Sequence, residues 1–179
     1  MKTTEILIAG FGGQGILFSG KFIAYKGLLE DLQVSWLPSY GPEMRGGTAN
    51  CNVILSDTPV GSPIITAPDV LIAMNLPSLE KYVNSVVNGG QIYVDSSLID
   101  AKVERDDVEV FYIPATQMAK EAGIATLANM IIVGHLLENH PELSFDGADA
   151  VVEKLVPPKK AALKELNIKA LSLGRDYKN

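Results

Sequence analysis

A glycine-dense stretch near the start of the chain, EILIAGFGGQGILFSGKFIA at residues 5–24, constrains the fold more than any other feature of the sequence. The apolar residues 6–9 predict a buried strand, and the apolar run after Gly15 predicts a helix. Between them, residues 10–15 match the G-x-G-x-x-G pattern that joins the first strand and helix of dinucleotide-binding domains. The sequence therefore predicts an α/β fold that begins with this turn.

Gly10, Gly12 and Gly15 occupy the three glycine positions of that pattern, with Gly13 and Gln14 between them. The first glycine permits a tight turn, the second lets the backbone approach a bound group, and the third lets the helix pack closely on the strand. The free N–H groups and the dipole at the start of the helix can hold an anion without a cationic side chain. The same glycines also suit a purely steric junction, so a binding site and a structural turn are both open.

Length and composition narrow the functional classes. The 179 residues suit a single domain, residues 1–179. The single cysteine, Cys51, excludes an internal disulfide and any all-cysteine iron–sulfur or zinc site. His135 and His140 form no recognisable metal-binding pattern. We therefore expect this chain to bind no metal and no cofactor by itself, and any redox group to belong to a partner.

Charge and hydropathy argue against two classes of partner. The net charge of −6 and the pI near 4.9 argue against a nucleic-acid-binding surface. No uncharged apolar run reaches the ~18 residues of a membrane span, and the glycines after residue 9 interrupt the first apolar run too early for a signal peptide. The sequence therefore predicts a cytoplasmic protein that binds neither nucleic acid nor membrane.

Strand and helix patterns alternate after the first helix, which Gly27, Glu30 and Asp31 are expected to end. This order is typical of a single Rossmann-like α/β domain with a mainly parallel sheet and helices on both faces. Because residues 48–65 lack a helix, strands there are expected to pair antiparallel through Asp57-Thr58-Pro59, which would make the sheet mixed. The predicted strands are residues 34–36, 50–55, 70–74, 91–95 and 108–113, and the predicted helices are residues 77–87 and 116–122.

The last third of the chain is predicted to be helical. Residues 126–137, TLANMIIVGHLL, are apolar on nearly every side, which predicts a helix that is central to the domain or pressed against another subunit. A final helix is expected to open at Pro157-Pro158, to stop at Gly174 and to pack back on the domain. Its buried side is predicted to consist of Leu163, Leu166, Ala170 and Leu173.

A loop of unusual composition follows the second predicted strand. Residues 37–47, LPSYGPEMRGG, contain two prolines and three glycines, which predicts an irregular segment. Arg45 precedes two of these glycines, and its guanidinium can bind a carboxylate or phosphate or fix a subunit contact. The alternative is a local ion pair with Glu43 at a solvated corner. The candidate site residues in this loop are Tyr40, Gly41, Pro42, Glu43, Arg45, Gly46 and Gly47.

Other polar residues have structural interpretations. Asn129 and His135 are predicted to be satisfied core or interface residues of the apolar helix, and Cys51 a small core residue without a catalytic role. Asp95-Ser96-Ser97 follows a strand at the end where α/β sheets bind ligands, but these residues equally suit a turn or a helix cap. Residues 104–107 read as an acidic, solvated turn. We expect no catalytic set in this chain.

Three motifs occur in order along the chain, IAGFGGQG at residues 8–15, SYGPEMRGG at residues 39–47 and APDVLIAM at residues 67–74. With Ala128-Asn129-Met130 and the tail at residues 164–174, they resemble the gamma subunit of 2-oxoacid:ferredoxin (acceptor) oxidoreductases over nearly the whole chain. Two long motifs at the right separation are far more specific than the glycine turn alone.

The resemblance implies a subunit of a thiamine diphosphate-dependent complex that converts a 2-oxoacid and coenzyme A to acyl-CoA and carbon dioxide and passes electrons to ferredoxin or another acceptor. It implies alpha, beta and ferredoxin-like partner subunits that carry the thiamine diphosphate and the iron–sulfur clusters. The glycine turn and residues 40–47 would then face the thiamine-binding subunits, near the coenzyme A phosphates, and this chain would supply no acid, base or cluster.

The loop YGPEMRGG looks closer to the 2-oxoglutarate, branched-chain and pyruvate members than to the indolepyruvate branch, so 2-oxoglutarate is the expected substrate. Two other functions stay open. A stand-alone nucleotide- or coenzyme A-binding module would use the glycine turn by itself, and a purely structural scaffold subunit would have partners but no influence on turnover. The apolar residues 126–137 favour a subunit over a free module.

Overall fold

Strands and helices alternate along the computed structural model, which describes residues 2–39 and 48–178. The strands are β1 (Thr3–Phe11), β2 (Gln33–Ser39), β3 (Thr48–Ser56), β4 (Val70–Ala73), β5 (Gln91–Asp95) and β6 (Glu109–Ile113). The helices are α1 (Ile16–Leu29), α2 (Leu76–Tyr82), α3 (Ala115–Glu121), α4 (Ala128–Asn139), α5 (Ala148–Leu155) and α6 (Ala161–Asp176). Short 3-10 turns occupy Val83–Ser85, Ala125–Leu127 and Pro158–Lys160.

The strands form one sheet in the order β2-β3-β1-β4-β5-β6. β1, β4, β5 and β6 pair in parallel, whereas β3 runs antiparallel to both β1 and β2. The predicted α/β domain with a mainly parallel, mixed sheet is confirmed. The predicted hairpin through Asp57-Thr58-Pro59 is wrong, since β3 pairs only with strands that precede it. The described chain between β3 and β4 adds no strand, because Pro59, Pro63 and Pro68 lack the N–H that a sheet ladder needs.

The helices cover the two faces of the sheet unequally. Side chains alternate along a strand, so Ile6 and Ile8 of β1 point to one face and Leu7 points to the other. α1, α3, α4, α5 and α6 pack on the first face, and α2 with the 3-10 turn after it packs on the second. The predicted helices on both faces are therefore present, with five of the six described helices together on one side.

In the N-terminal third, the structure differs from the sequence prediction at the end of β2 and near the end of α1. β2 continues through Leu37, Pro38 and Ser39, which the sequence analysis assigned to the irregular loop. A proline is tolerated here because β2 is an edge strand that pairs with β3 on one side. The rest of that loop, residues 40–47, lies outside the described residues. α1 ends before Glu30 as expected, although Gly27 lies inside the helix.

The turn at residues 104–107 is partly exposed, as the sequence analysis expected, with Glu104 and Asp106 at the surface, and Arg105 anchors it to the domain. The Arg105 guanidinium donates to the carbonyl oxygens of Val83 and Val86 at 2.9 Å and 2.8 Å. It also pairs with both carboxylate oxygens of Asp107, at 2.8 Å and 2.6 Å. These bonds satisfy carbonyls at the end of the second-face helical segment, which accounts for its ending before the predicted residue 87.

Helices α4 and α6, which are separated in sequence by α5, touch through their backbones. A Cβ atom added to Gly174 would lie 1.8 Å from the carbonyl oxygen of Ile131, and one added to Gly134 would lie 2.0 Å from that of Leu171. Only glycine allows this approach. The prediction that Gly174 stops the final helix is wrong, because Gly174 is a packing position inside α6 and the helix runs on to Asp176.

The apolar stretch at residues 126–137 forms α4, where every residue from Ala128 to Leu137 is buried, so the helix is central to this domain. α6 follows Pro157-Pro158 after one 3-10 turn, close to the predicted start. On its predicted buried side, Leu166, Ala170 and Leu173 pack on the core but Leu163 is 39% exposed. α5 has no counterpart among the sequence predictions.

His135 lies in the core beside this crossing, as the sequence analysis expected. Its Nδ1 is 3.0 Å from the carbonyl oxygen of Gly174, and its ring meets Tyr93, Phe111 and Tyr177 edge-on. Its Nε2 has no hydrogen-bond partner among the described residues. Burial lowers the pKa of His135, so the imidazole is held neutral.

We expect Gly174→Ala to destabilise the protein by about 1–3 kcal/mol, because the new methyl group must push two packed helices apart. Urea unfolding of the isolated chain measures the loss. Gly61→Ala is the control, since nothing lies within 4 Å of its added Cβ, and its stability should change by less than about 1 kcal/mol. A gain of about 1 kcal/mol at residue 174, the usual effect of alanine in a helix, would contradict the backbone contact.

Candidate functional site

The two segments that the sequence analysis singled out meet at one edge of the sheet. β1, β4, β5 and β6 are parallel and end at the same edge, which is where open α/β sheets bind ligands. The glycine turn follows β1 there. β2 ends and β3 begins at this edge as well, and Phe11 pairs with Thr48 across the ladder. The structure therefore brings the glycine turn to the same edge as both ends of the segment at residues 40–47, next to Thr48 and one strand away from Ser39. The candidate residues of that segment lie outside the described chain.

Glycine is required in the turn for two reasons, which are close packing at Gly10 and a positive φ at Gly13 and Gly15. A Cβ on Gly10 would lie 2.6 Å from Gln14 Oε1 and 2.8 Å from Met74 Cβ, so this glycine is needed for close packing. Gly13 and Gly15 have φ of +94° and +76°, in the left-handed region that favours glycine. Among residues 2–39 and 48–178, nothing lies within 4 Å of the Cβ position of Gly13.

Gln14 closes the turn from inside. Its Oε1 accepts a hydrogen bond from the backbone N–H of Phe11 at 2.6 Å, and its Nε2 donates to the carbonyl oxygen of Met74 at 3.0 Å. The side chain thus ties the end of β1 to the end of β4. Gln14 was predicted as a cofactor or interface residue, and the structure shows that it has a structural part in addition to any such role.

Asn129 holds the other side of the turn, which the sequence analysis did not foresee. Its Nδ2 donates to the carbonyl oxygen of Gly15 at 3.1 Å and to Ser19 Oγ at 2.9 Å. A Cβ on Gly15 would lie 2.5 Å from this amide, and Asn129 is only 5% exposed. The one signal in the sequence was a polar residue at the start of an apolar helix, which does not reveal its partner 114 positions earlier.

Asp95 is a structural residue of this edge. It is fully buried, and its Oδ1 accepts from the backbone N–H groups of Ser97 at 3.1 Å and Thr116 at 3.3 Å. Its Oδ2 accepts from the Thr116 hydroxyl at 2.6 Å. Of the two alternatives for Asp95-Ser96-Ser97, the contacts favour the turn, which anchors the start of α3 to the end of β5.

Three buried side-chain atoms near this edge have no hydrogen-bond partner among the described residues. They are Asn129 Oδ1 beside the glycine turn, and Asn75 Nδ2 and Ser78 Oγ at the start of α2. Asn75 does cap α2, because its Oδ1 accepts the N–H of Ser78 at 2.8 Å. Unsatisfied buried polar groups are uncommon in folded proteins, and three of the five among the described residues lie near this edge.

Large apolar side chains are exposed along the same edge. Phe11 at the end of β1 is 41% exposed, Leu76 after β4 is 38% exposed, and Leu98 after β5 is 48% exposed. All three follow or end a parallel strand. Exposed apolar side chains that cluster beside polar backbone groups, as these three do, are typical of a surface that contacts another protein.

The rest of the described chain shows no exposed cysteine, no metal-binding cluster and no membrane-spanning helix. Cys51 is buried, and burial raises its pKa to about 12, so it remains a thiol and a core residue as predicted. No group of three or more histidine, cysteine, aspartate or glutamate residues within the described ranges could hold a metal ion. Among the helices of those ranges, none is long and apolar enough to cross a membrane.

A cavity of about 440 Å³ opens at the opposite, amino-terminal edge of the sheet. Asp69, Glu109 and Glu142 line it together with His140. This cavity lies far from the glycine turn in the fold, since its strand residues are the first of their strands. Because α/β sheets bind ligands at their carboxyl-terminal edge, we take the glycine-turn edge as the candidate site.

Comparison with known proteins gives consistent matches. The family described as pyruvate ferredoxin/flavodoxin oxidoreductase matches residues 5–177. Ketoisovalerate oxidoreductase subunit VorA of Methanothermobacter marburgensis is 36% identical over 98% of this chain, but the chain spans only 37% of that relative. 2-Oxoglutarate synthase subunit KorC of the same organism is 36% identical over 96% of this chain and 95% of its own length. The crystal structure of a keto/oxoacid ferredoxin oxidoreductase gamma subunit from Geobacter sulfurreducens superposes with a TM-score of 0.82 at 30% identity, covering 97% of this chain and 96% of the other.

We expect Gln14→Ala to destabilise the isolated chain by about 1 kcal/mol and to speed hydrogen exchange at the Phe11 amide, because the bridge from β1 to β4 is lost. Amide exchange by NMR and urea unfolding measure the two effects. Gln117→Ala is the matched control, since Gln117 bonds only to exposed groups and should change stability by less than about 0.5 kcal/mol. Unchanged Phe11 exchange in the Gln14 variant would show that the side chain does not hold the turn.

Proposed function

The chain belongs to the pyruvate ferredoxin/flavodoxin oxidoreductase family, and we propose that it is the gamma subunit of a 2-oxoacid:ferredoxin oxidoreductase. The observation that carries this proposal is the end-to-end match to KorC and to the Geobacter gamma subunit, each covered over at least 95% of its length. The complex would convert a 2-oxoacid and coenzyme A to acyl-CoA and carbon dioxide, with two electrons passing to ferredoxin or another acceptor. We place it in the cytoplasm, as the sequence analysis expects.

In this proposal the reactive groups belong to partner subunits. Thiamine diphosphate, held by the alpha and beta subunits, supplies the carbanion chemistry of decarboxylation, and the ferredoxin-like subunit holds the iron–sulfur clusters. Support from this chain is its single, buried cysteine and the absence of a metal-binding cluster from its described residues. Its own part would be to bind and orient partners and to exclude water at the carboxyl-terminal edge.

The glycine turn would contribute backbone donors to that edge. The first N–H groups of α1 have no partners inside the helix, and the helix dipole favours an anion beside them. No described residue lies within 4 Å of the Cβ position of Gly13, so a coenzyme A phosphate or a partner's acidic group could approach the backbone. The proposed contact residues are Gly10, Gly12, Gly13, Gln14 and Gly15 in the turn, and Tyr40, Gly41, Pro42, Glu43, Arg45, Gly46 and Gly47 in the loop.

We propose 2-oxoglutarate as the substrate of the complex. KorC and VorA are equally identical to this chain, at 36%, so identity alone does not separate 2-oxoglutarate from ketoisovalerate. The composition of the loop at residues 40–47, which the sequence analysis compared with the family, is what favours 2-oxoglutarate in this proposal. A purely structural scaffold is the second candidate, favoured by the Gln14 side chain that fills the inside of the turn.

The test of this function is affinity purification of the tagged chain from its native host. Co-purified thiamine diphosphate, iron–sulfur absorbance and 2-oxoacid-dependent reduction of an artificial electron acceptor are the expected results. Faster turnover with 2-oxoglutarate than with ketoisovalerate would support the substrate. Recovery of the chain alone would overturn the subunit proposal.

We expect Leu98→Asp to abolish co-purification of the other subunits, because a carboxylate would have to be buried in the proposed apolar contact. The isolated variant should unfold within about 0.5 kcal/mol of the wild type, since Leu98 is largely exposed. Leu163→Asp, at an exposed leucine on α6, is the matched control and should co-purify normally. Normal assembly of the Leu98 variant would remove this surface from the interface.

We expect Arg45→Ala to lower acyl-CoA formation by the assembled complex at least tenfold, because a charged hydrogen bond of the guanidinium is worth about 1.5–3 kcal/mol. Initial rates at several coenzyme A concentrations measure the effect and show whether KM or kcat changes. Arg175→Ala is the control, since Arg175 is exposed on α6 and pairs with Asp176. Full activity of the assembled Arg45 variant would exclude this residue and favour the scaffold.

A further inference from the structure

The two histidines of the chain have opposite hydrogen-bond roles at Nδ1. His135 Nδ1 lies 3.0 Å from the carbonyl oxygen of Gly174, and a carbonyl only accepts, so this nitrogen carries a proton and donates. His140 Nδ1 accepts from the backbone N–H of Glu142 at 3.2 Å. An imidazolium has a proton on both nitrogens and cannot accept at either. Protonation is therefore compatible with the bond of His135 but breaks the bond of His140.

The bond of His140 shapes the chain as it leaves α4. His140 follows the last residue of α4 with extended backbone, φ −86° and ψ 126°, and Pro141 comes next. Its ring accepts the N–H two residues further on, which is what an asparagine or aspartate side chain does in an Asx-turn. The carbonyl oxygen of His140 also accepts from the N–H of Leu143 at 3.3 Å. The neutral ring thus fixes the position of Glu142.

Glu142 joins this turn to the start of β1, because its Oε2 accepts from the Thr4 hydroxyl at 2.8 Å. We call residues 140–142 together with Thr4 the latch. At the other end of α4, Asn129 donates to the carbonyl oxygen of Gly15, just after β1. The segment from α4 to Glu142 is therefore tied at both ends to chain that adjoins or belongs to β1, once at the glycine turn and once at the latch.

The charged groups that face His140 come from four parts of the fold. Asp69 before β4, Glu109 at the start of β6 and Glu142 line the cavity of about 440 Å³ beside the ring, and Lys2 lies before β1. Burial lowers the pKa of His140 in the latch, Lys2 acts in the same direction, and Glu142 and Asp69 oppose them. Outside the turn, the ring would lose the burial and could donate to the carboxylates of the cavity. A proton therefore binds the released ring more tightly than the latched ring.

From the acceptor role of His140 and the acidic cavity beside it, we propose that His140 is a pH-sensitive latch. The neutral ring holds Glu142 against Thr4. The imidazolium turns toward the carboxylates of the cavity, and residues 140–142 detach from the start of β1. The device goes beyond the proposed function and does not depend on it, since all of its parts belong to this chain.

The direction of the pH dependence follows from the lowered pKa of the latched His140. The latch is fully formed above the ordinary histidine pKa of about 6.5. It is lost as the pH falls below that value and through the lower pKa of the latched ring, because the proton then favours the released state. Once released, α4 remains tied to the glycine turn through Asn129, whose amide does not titrate.

NMR titration of the full-length chain from pH 7.5 to pH 5 tests the latch. The amide resonances of Glu142 and Thr4 should shift with the same midpoint as the ring resonances of His140. Nuclear Overhauser contacts between the Glu142 and Thr4 side chains should be present at pH 7.5 and lost at pH 5. The His135 ring should not share this midpoint, because its bond to Gly174 does not require an unprotonated Nδ1.

Two substitutions separate protonation of His140 from a general effect of acid. His140→Asn supplies an oxygen that accepts the same N–H in an Asx-turn and does not titrate, so the Glu142 and Thr4 resonances should stay at their pH 7.5 positions. His140→Lys supplies only donors and a charge, so those resonances should already have their acidic positions at pH 7.5.

Three results would overturn the proposal. One is a Glu142 shift in His140→Asn that equals the wild-type shift. The second is a wild-type His140 ring that titrates while Glu142 and Thr4 stay unchanged, and the third is a ring that does not titrate above pH 5. The wild-type and His140→Asn titrations decide the question even where His140→Lys fails to fold.

Discussion

The backbone contact between α4 and α6 fixes the position of α4 and, through Asn129, the position of the glycine turn. Gly134 and Gly174 allow the two helices to approach until carbonyl oxygens of one helix face Cα atoms of the other. That approach sets where α4 lies on the sheet, and α4 carries Asn129 to the glycine turn. The start of α1 is thus held through a chain of contacts that begins at the far end of the sequence. A helix pair joined by side chains would be less exact, because side chains can change rotamer and a backbone carbonyl cannot.

The glycine turn combines a structural role with a shape suited to binding. Gln14 and Asn129 satisfy backbone groups on its two sides, so the turn is rigid without any ligand. No residue of the described ranges lies against the Cβ position of Gly13. The same residues therefore account for both alternatives left open by the sequence. A rigid turn is a junction between strand and helix, and it is also a backbone surface already shaped for a partner, which reduces the entropy lost on binding.

The sequence predicted the order of elements well because the order depends on local patterns. The buried strand residues 6–9 and 92–94 are continuous apolar or aromatic runs, and such runs are visible without any tertiary information. Two of the errors involve distant partners. Gly174 looks like a helix stop until Ile131 is brought against it, and Leu37-Pro38-Ser39 looks irregular until β3 pairs with it.

The two candidate segments could be chosen from the sequence, but the residues that support the glycine turn could not. The glycine pattern and the loop composition singled out the segments, and the sheet topology places the glycine turn at the edge where β2 ends and β3 begins. Asn129 and Met74 could not be assigned, because nothing in their own neighbourhoods distinguishes them from ordinary core residues. Their roles exist only after the chain has folded back on itself across 114 and 60 positions.

The insertion of β3 between β1 and β2 has a consequence for how the chain folds. These three strands and α1 lie within the first 56 residues, so this part of the sheet is assembled from the N-terminal third of the chain alone. The residues that make these contacts become available early during synthesis from the N-terminus. The bonds from Met74 and Asn129 come from later parts of the chain. The frame of the site can therefore form while the ribosome is still adding residues, but its final geometry waits until α4 has emerged and docked.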